Sequence, residues 1–416
     1  MEYSAIHILI AWLIIAIDVF LLYKHRGNSF LLIINLVIAY FNYSICMGEY
    51  ISGNFSLLSL VPGLYNTPNG NLYETGLYIL GVFSLVRLLF FRRRLPALPQ
   101  NISPRRYNPI IYVGIFLALI FVWIFEVRRP EILVSYTVRI SPVYEYSMMG
   151  FIFLLYYQGR SKIRAILSHL LALAFVAQEF YLGSRGVAIQ LVLLFSLFHY
   201  SRFLKLKYIA IVAPLLLLVF TTVGIYRDTY TLHTGIDDII SILTSRLFVL
   251  DTAIMAYEAS ITQLNALIYI DPETRWLSFV TFVAYVFGGS SVYSLFNLPE
   301  NLNEVSGIGR LYHWNLGGGL IASWFYFWFG YLGLIIMSSA LFKTLKHLLA
   351  AKKELWGIIL LAVTMTAPRW YLYSPLSFVR GPFVFVPLLF IFLRLIDHLT
   401  IRAKIPNTPA PASTIL

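Results

Sequence analysis

The chain has 416 residues, of which 59% are hydrophobic and 12% charged, and its mean hydropathy is +0.77. Soluble domains carry about 25% charged residues, so this composition excludes a water-soluble fold for most of the chain, and it excludes disorder, which needs low hydrophobicity. The single cysteine, Cys46, excludes a disulfide framework and a thiolate metal cluster, while the net charge of +12 resembles a nucleic-acid signal until the charges are sorted by position.

A bilayer core of about 30 Å takes roughly 20 apolar residues in a helix. Such runs fall at about 6–23, 29–47, 76–91, 109–125, 141–158, 165–182, 187–200, 208–225, 318–342, 355–367 and 382–396. They predict an all-α, polytopic bundle of about eleven spans in one integral membrane domain, residues 1–402. The first run lacks a basic n-region and a small-residue cleavage site, so it reads as a span and not a cleaved signal peptide. The Pro- and Ala-rich tail, 403–416, is expected to be disordered.

Twenty Lys and Arg gather in every second connection, which marks those connections as cytoplasmic. The N-terminus is then outside and the C-terminus inside. Ten basic residues remain on the outer side: Arg128, Arg129, Arg139, Arg185, Arg227, Arg246, Arg275, Arg310, Arg369 and Arg380. All are arginine, while all nine lysines lie inside. Of the carboxylates, only Glu354 and Asp397 are inside. The positive excess is therefore a topology signal, and a nucleic-acid partner is excluded. Asp18 and Arg87 fall within spans, where charges are costly, and are expected to pair with each other or to snorkel.

Four outer connections follow in chain order, at about 48–75, 126–140, 183–186 and 226–317. The last is the largest. Its apolar stretches read as helices that lie in the interface or re-enter the membrane; as full spans they raise the total to thirteen. The tight turn Gly183-Ser184-Arg185-Gly186 precedes a helix, whose N-terminus favours an anion. An arginine at that positive end fits an anion shared between them, with Glu179 one turn back to orient it. Arg227 opens the large segment at a span end, and Arg246 precedes an apolar helix that carries Asp251 and Glu258 on one face. Arg310 and His313 precede Gly317-Gly318-Gly319, a second source of backbone donors. Arg369 and Arg380 flank the last outer loop, and Trp370, Tyr371 and Tyr373 between them read as interface anchors or as sugar-stacking surfaces. His313, Asp251 and Glu179 are the candidate bases, without an order among them. No P-loop, zinc-protease motif or Cys/His metal set is present, so no cofactor is expected.

Three places in the chain resemble the bacterial O-antigen polymerases of the Wzy type. The first is Tyr181-Leu182-Gly183-Ser184-Arg185-Gly186 between two spans; the second is Ser245-Arg246 ahead of an apolar helix in the large outer segment. The third is Gly317-Gly318-Gly319 leading to Phe329-Gly330-Tyr331-Leu332-Gly333. Many members carry a Glu soon after the Gly-rich stretch, where this chain has Ala322-Ser323. The resemblance implies a GT-C-like helical glycosyltransferase at the periplasmic face of the bacterial inner membrane, which makes the outer N-terminus periplasmic and the C-terminus cytoplasmic. Its donor and acceptor are glycans on undecaprenyl diphosphate, and a flippase and a chain-length regulator are its expected partners. Arg185, Arg246 and Arg310 are then the first candidates for diphosphate contact, with Arg227 and Arg380 behind them. An O-antigen ligase of the same chemistry and a polysaccharide-lipid flippase are the alternatives.

Overall fold

The computed structural model describes residues 5–52, 71–93, 107–128, 139–182, 185–212, scattered positions between 215 and 267, 270–288 and 319–402. It is almost entirely helical. The first helices are α1 (Ala5–Lys24), α2 (Ser29–Ser52), α3 (Asn71–Phe91) and α4 (Pro109–Phe125). After them come α5 (Pro142–Tyr157), α6 (Lys162–Tyr181), α7 (Gly186–His199) and α8 (Pro272–Gly288). The chain continues with α9 (Ile321–Ala350), α10 (Glu354–Met365), α11 (Ala367–Leu372) and α12 (Leu376–Val379). A π-helical stretch, Arg380–Phe385, leads into α13 (Val386–Arg402). One feature was not expected: β1 (Val127–Arg128) pairs antiparallel with β2 (Arg139–Ile140), Val127 opposite Ile140. Two residues per strand are too few to register as a period-2 pattern.

Among the described residues, five helices are long and apolar enough to cross a membrane: Ile6–Lys24, Ser29–Met47, Lys162–Tyr181, Ile321–Ala350 and Leu376–Thr400. Thr75–Phe91, Pro109–Phe125, Gly186–His199 and Glu354–Met365 are apolar but shorter. The peripheral helices turn large apolar side chains outward, such as Leu9 and Trp12 on α1, Leu117 and Phe121 on α4, and Leu388 and Phe392 on α13. The central helices bury theirs on every side: Phe151 to Tyr157 on α5 and Ile358 to Val363 on α10 are all buried. α7 packs against both α6 and α10, which places it in the middle of the bundle.

The helix ends that carry the basic residues lie together and are tied by side chains. Glu354 at the start of α10 accepts from Tyr156 of α5 and from Arg394 of α13. Asp397 of α13 accepts from Asn108 at 2.8 Å, and the same asparagine caps α4 through Ile110 N and Ile111 N. His25 after α1 bonds the Phe91 carbonyl at the end of α3 at 2.8 Å.

Inside the bundle, Asp18 of α1 pairs with Arg87 of α3, as expected from the sequence, and neither snorkels. Asn42 of α2 donates to Asp18 at 2.8 Å and accepts from the Tyr371 hydroxyl of α11. All four residues are buried. One polar chain thus links four helices.

α9 is kinked. Phe329 and Gly330 leave helical geometry, with Gly330 at φ 64°, a conformation that favours glycine. The kink frees carbonyls from the helical ladder, and Arg275 of α8 fills the gap, bonding Phe327 O at 2.6 Å and Tyr326 O at 3.3 Å. α8 runs antiparallel to the first part of α9: Phe279 meets Trp328 and Phe329, and Phe282 meets Trp324 and Trp328. At its exposed start, Asp271 accepts from Thr274 N at 2.7 Å, and these hydrogen bonds hold its carboxyl below the usual range.

Candidate functional site

At the end of the bundle opposite the basic residues lies a cavity of about 250 Å³. Glu145, Tyr146 and Met149 of α5 form one wall, Gln190 of α7 and Trp324 of α9 another. Thr366, Arg369, Tyr373, Ser374, Leu376 and Ser377 close it from the α10–α12 side. Helix lengths explain the recess. α7 has 14 residues and α10 has 12, about 21 and 18 Å at 1.5 Å per residue, shorter than the neighbours around them.

The break after α10 is local chemistry. Pro368 has no N–H to continue the ladder, so the chain restarts as α11 with Pro in its first turn. Thr364 and Thr366 turn their hydroxyls back to the Leu360 and Ala362 carbonyls, both at 2.8 Å. Trp370 donates its indole N–H to Val363 O at 2.9 Å. Trp370 is therefore a buried cap for α10 and Tyr371 is the end of the Asp18 network. The reading of both as interface anchors is corrected: their rings point into the core, and only Tyr373 is exposed.

Arg369 donates from Nη2 to Glu145 Oε1 at 2.8 Å, across the cavity wall. Burial works against the charge, but the adjacent Glu145 outweighs it and raises the guanidinium above its already high value, so it remains a cation. Glu145 stands in the first turn of α5, whose start is fixed by Ser141 accepting from Tyr144 N at 3.1 Å and by Pro142. Arg380 opens the π-helical stretch. Its guanidinium lies over Tyr146 at 5.5 Å, Tyr285 at 5.1 Å and Phe385 at 5.3 Å, and among the described residues it has no ion pair. Aromatic faces hold a cation in place and leave its five N–H donors for another partner. Tyr146 belongs to both the cage and the cavity wall, so Arg380 and the Arg369–Glu145 pair are neighbours. Gly381 lets this stretch approach α5 closely: a Cβ there would stand 2.8 Å from Met149 Cε.

The other candidates divide. Arg185 is the N-cap residue of α7, half-buried, with Gln190 of the cavity one and a half turns further on. Glu179 is completely buried, and its Oε2 accepts from Val187 N at 3.4 Å. A carboxylate of the chain itself thus occupies the anion-favouring start of α7, and Glu179 does not line the cavity. Arg227, Arg246, Asp251, Arg310 and His313 lie outside the described residues. Of the Gly triplet only Gly319 is described. Its N–H bonds Leu372 O at 3.2 Å, and a Cβ there would stand 2.4 Å from the Gln263 amide, so this glycine serves close packing and its donor is taken. Ser323, where relatives of the resembled family carry Glu nearby, bonds Ser260 and Gln263 at 3.0 Å and is buried. The described part of 256–264 is buried beside α3, with Tyr257 and Ile261 against Gly76.

Sequence reasoning passed over Glu145 and Gln190. Glu145 is one carboxylate among many at the outer ends, and its partner is 224 residues away. Their only local signal is a polar side chain in the first turns of an apolar helix. No family model, no curated protein and no solved structure matches this chain.

Proposed function

We propose that this protein is a membrane glycosyltransferase that polymerises oligosaccharide repeat units, carried on undecaprenyl diphosphate, into O-antigen or a related surface polysaccharide. The observation that carries the reading is the polar cavity with two neighbouring arginines at the end of an otherwise apolar bundle. The positive-inside rule puts the basic ends in the cytoplasm and so puts the cavity at the periplasmic face. In this reading the bundle is a GT-C-like set of about eleven spans, with 226–317 as its large periplasmic segment.

The chemistry suits the residues. In this reaction the bond between the donor sugar and its diphosphate breaks as the acceptor hydroxyl attacks, so the energy is in the donor and no nucleotide is consumed. Negative charge develops on the leaving diphosphate. Fixed guanidinium groups stabilise such charge without reorganising, and their planar forks match phosphate oxygens. Arg380 on its aromatic cage and Arg369 on its carboxylate are preorganised in this sense. Arg185, Arg246, Arg310 and Arg227 complete the proposed diphosphate contacts.

A flippase needs charged groups along a path through the spans. Asp18 and Arg87 are bound instead to each other, Asn42 and Tyr371 inside a packed core, which favours the enzyme. The test is deletion of the gene followed by electrophoresis of surface glycan. Loss of the ladder with one repeat still attached to lipid A is the expected result. Loss of all repeats from lipid A makes the chain a ligase, and an unchanged ladder overturns both.

A further inference from the structure

Glu145 is the one carboxylate among the described residues that line the cavity. Three observations set it apart from an ordinary surface ion pair. It rises from the first turn of α5, where the helix favours a negative charge. Arg369 holds Oε1 at 2.8 Å, which fixes the rotamer, while Oε2 has no hydrogen-bond partner among the described residues. The donors of Arg369 other than Nη2 are equally unused there. The pair therefore presents a free acceptor and free donors side by side, with Arg380 next to them across Tyr146.

We infer that Glu145 is the general base of the transfer, with Arg369 as the residue that orients it. The inference rests on the glycosyltransferase reading above. The acceptor hydroxyl gives its proton to Glu145 Oε2 as its oxygen bonds to the anomeric carbon of the donor sugar. The bond from that carbon to the diphosphate breaks, and its electron pair leaves on the diphosphate oxygen facing Arg369 and Arg380. The proton then passes from Glu145 to solvent, which restores the carboxylate. One oriented oxygen and one anchored oxygen are what a positioned base requires. Glu179, an alternative for the same step, is buried and does not line the cavity.

Among the described residues, the charged and titratable side chains around Glu145 are Arg369 and Tyr373 beyond α10, Tyr146 on its own helix, Arg380 on the π-helical stretch and Tyr285 on α8. Arginine and tyrosine are residue types that keep their protons in acid, so a loss of rate at low pH reports a carboxylate.

The experiment uses the purified full chain in lipid nanodiscs. Its substrate is the undecaprenyl-diphosphate-linked repeat unit extracted from cells deleted for this gene, and ladder formation is followed against pH. Wild-type protein is expected to slow toward low pH. Glu145→Gln is expected to lose kcat by about 10²–10⁴-fold, the range of general-base catalysis. Its KM should stay within threefold, and its residual rate should not fall further in acid. Glu145→Asp, which keeps a carboxylate set back by one methylene, is expected to be slower than wild type and to retain the acid limb; it decides the matter if Glu145→Gln fails to elute as folded protein. A Glu145→Gln enzyme with kcat within threefold of wild type, or one that keeps the acid limb, overturns the inference and leaves the polymerase reading standing. Should Glu145→Asp alone be measurable, wild-type rates without an acid limb overturn it. Wild-type protein that builds no ladder overturns both.

Discussion

Single side chains already separate structural from chemical charge. Arg275 and Arg369 are both outer arginines by position in the sequence, yet one serves backbone carbonyls at the α9 kink and the other faces a cavity. No sequence pattern distinguishes them, because the kink and the cavity exist only after the helices pack. Asp18 and Arg87 were legible, since two opposite charges in apolar runs have few other ways to be satisfied. Asn42 and Tyr371, which complete their network, were not, being unremarkable polar residues in their own helices. Removing one member of a buried pair leaves the other uncompensated. Arg87→Met is therefore expected to destabilise the protein by about 3–5 kcal/mol, and the Asp18→Leu, Arg87→Met double variant by less than the single one. Thermal unfolding in detergent measures both. Arg380→Ala is expected to lower the polymerisation rate by about 10²–10³-fold, the usual loss for one preorganised charge-stabilising group. Arg380→Lys should recover only part, since an ammonium lacks the planar fork.

Elements show a second division. Long apolar runs located the helices well, because their period and length are properties of the chain alone. What escaped is where helices stop short. The cavity exists because α7 and α10 are brief and the chain restarts as α11 with Pro368 in its first turn. The proline was visible in the sequence, but not that Trp370 folds back to cap α10 and leaves Arg369 over the recess. The Phe-Gly-x-x-Gly stretch is similarly physical in its use. Gly330 sits at φ 64°, and Gly333 gives Phe329 room, since a Cβ there would stand 2.5 Å from the Phe329 Cβ. Gly330→Ala is expected to cost about 1–3 kcal/mol, because φ 64° with ψ −153° is backbone open essentially to glycine alone. It should also disturb the Arg275 contacts that anchor α8, and with them Tyr285 of the Arg380 cage. Lower polymerising activity alongside a lowered Tm is the expected result; a lowered Tm with full activity would detach the kink from the site.

Across the whole molecule the two ends differ in kind. At the basic end, both inside carboxylates are engaged: Glu354 clamps α5 and α13 to α10, and Asp397 holds the start of α4. That end is closed by its few negative charges. The other end keeps a recess, a charged pair and a caged guanidinium. The net charge of +12, read whole, pointed to an acidic macromolecule, whereas its distribution points to a bilayer. In the proposed orientation a reporter fused after Lys207 scores as cytoplasmic; a periplasmic score would invert the molecule and move the cavity away from the lipid-linked glycan. The central claim is that this cavity handles the diphosphate of that glycan. Its most direct test is electrophoresis of surface glycan from a deletion strain carrying the Arg369→Ala, Arg380→Ala double variant at normal membrane levels. Lipid A bearing a single repeat and no ladder is the expected result. A full-length ladder would contradict a role for the cavity in binding the diphosphate.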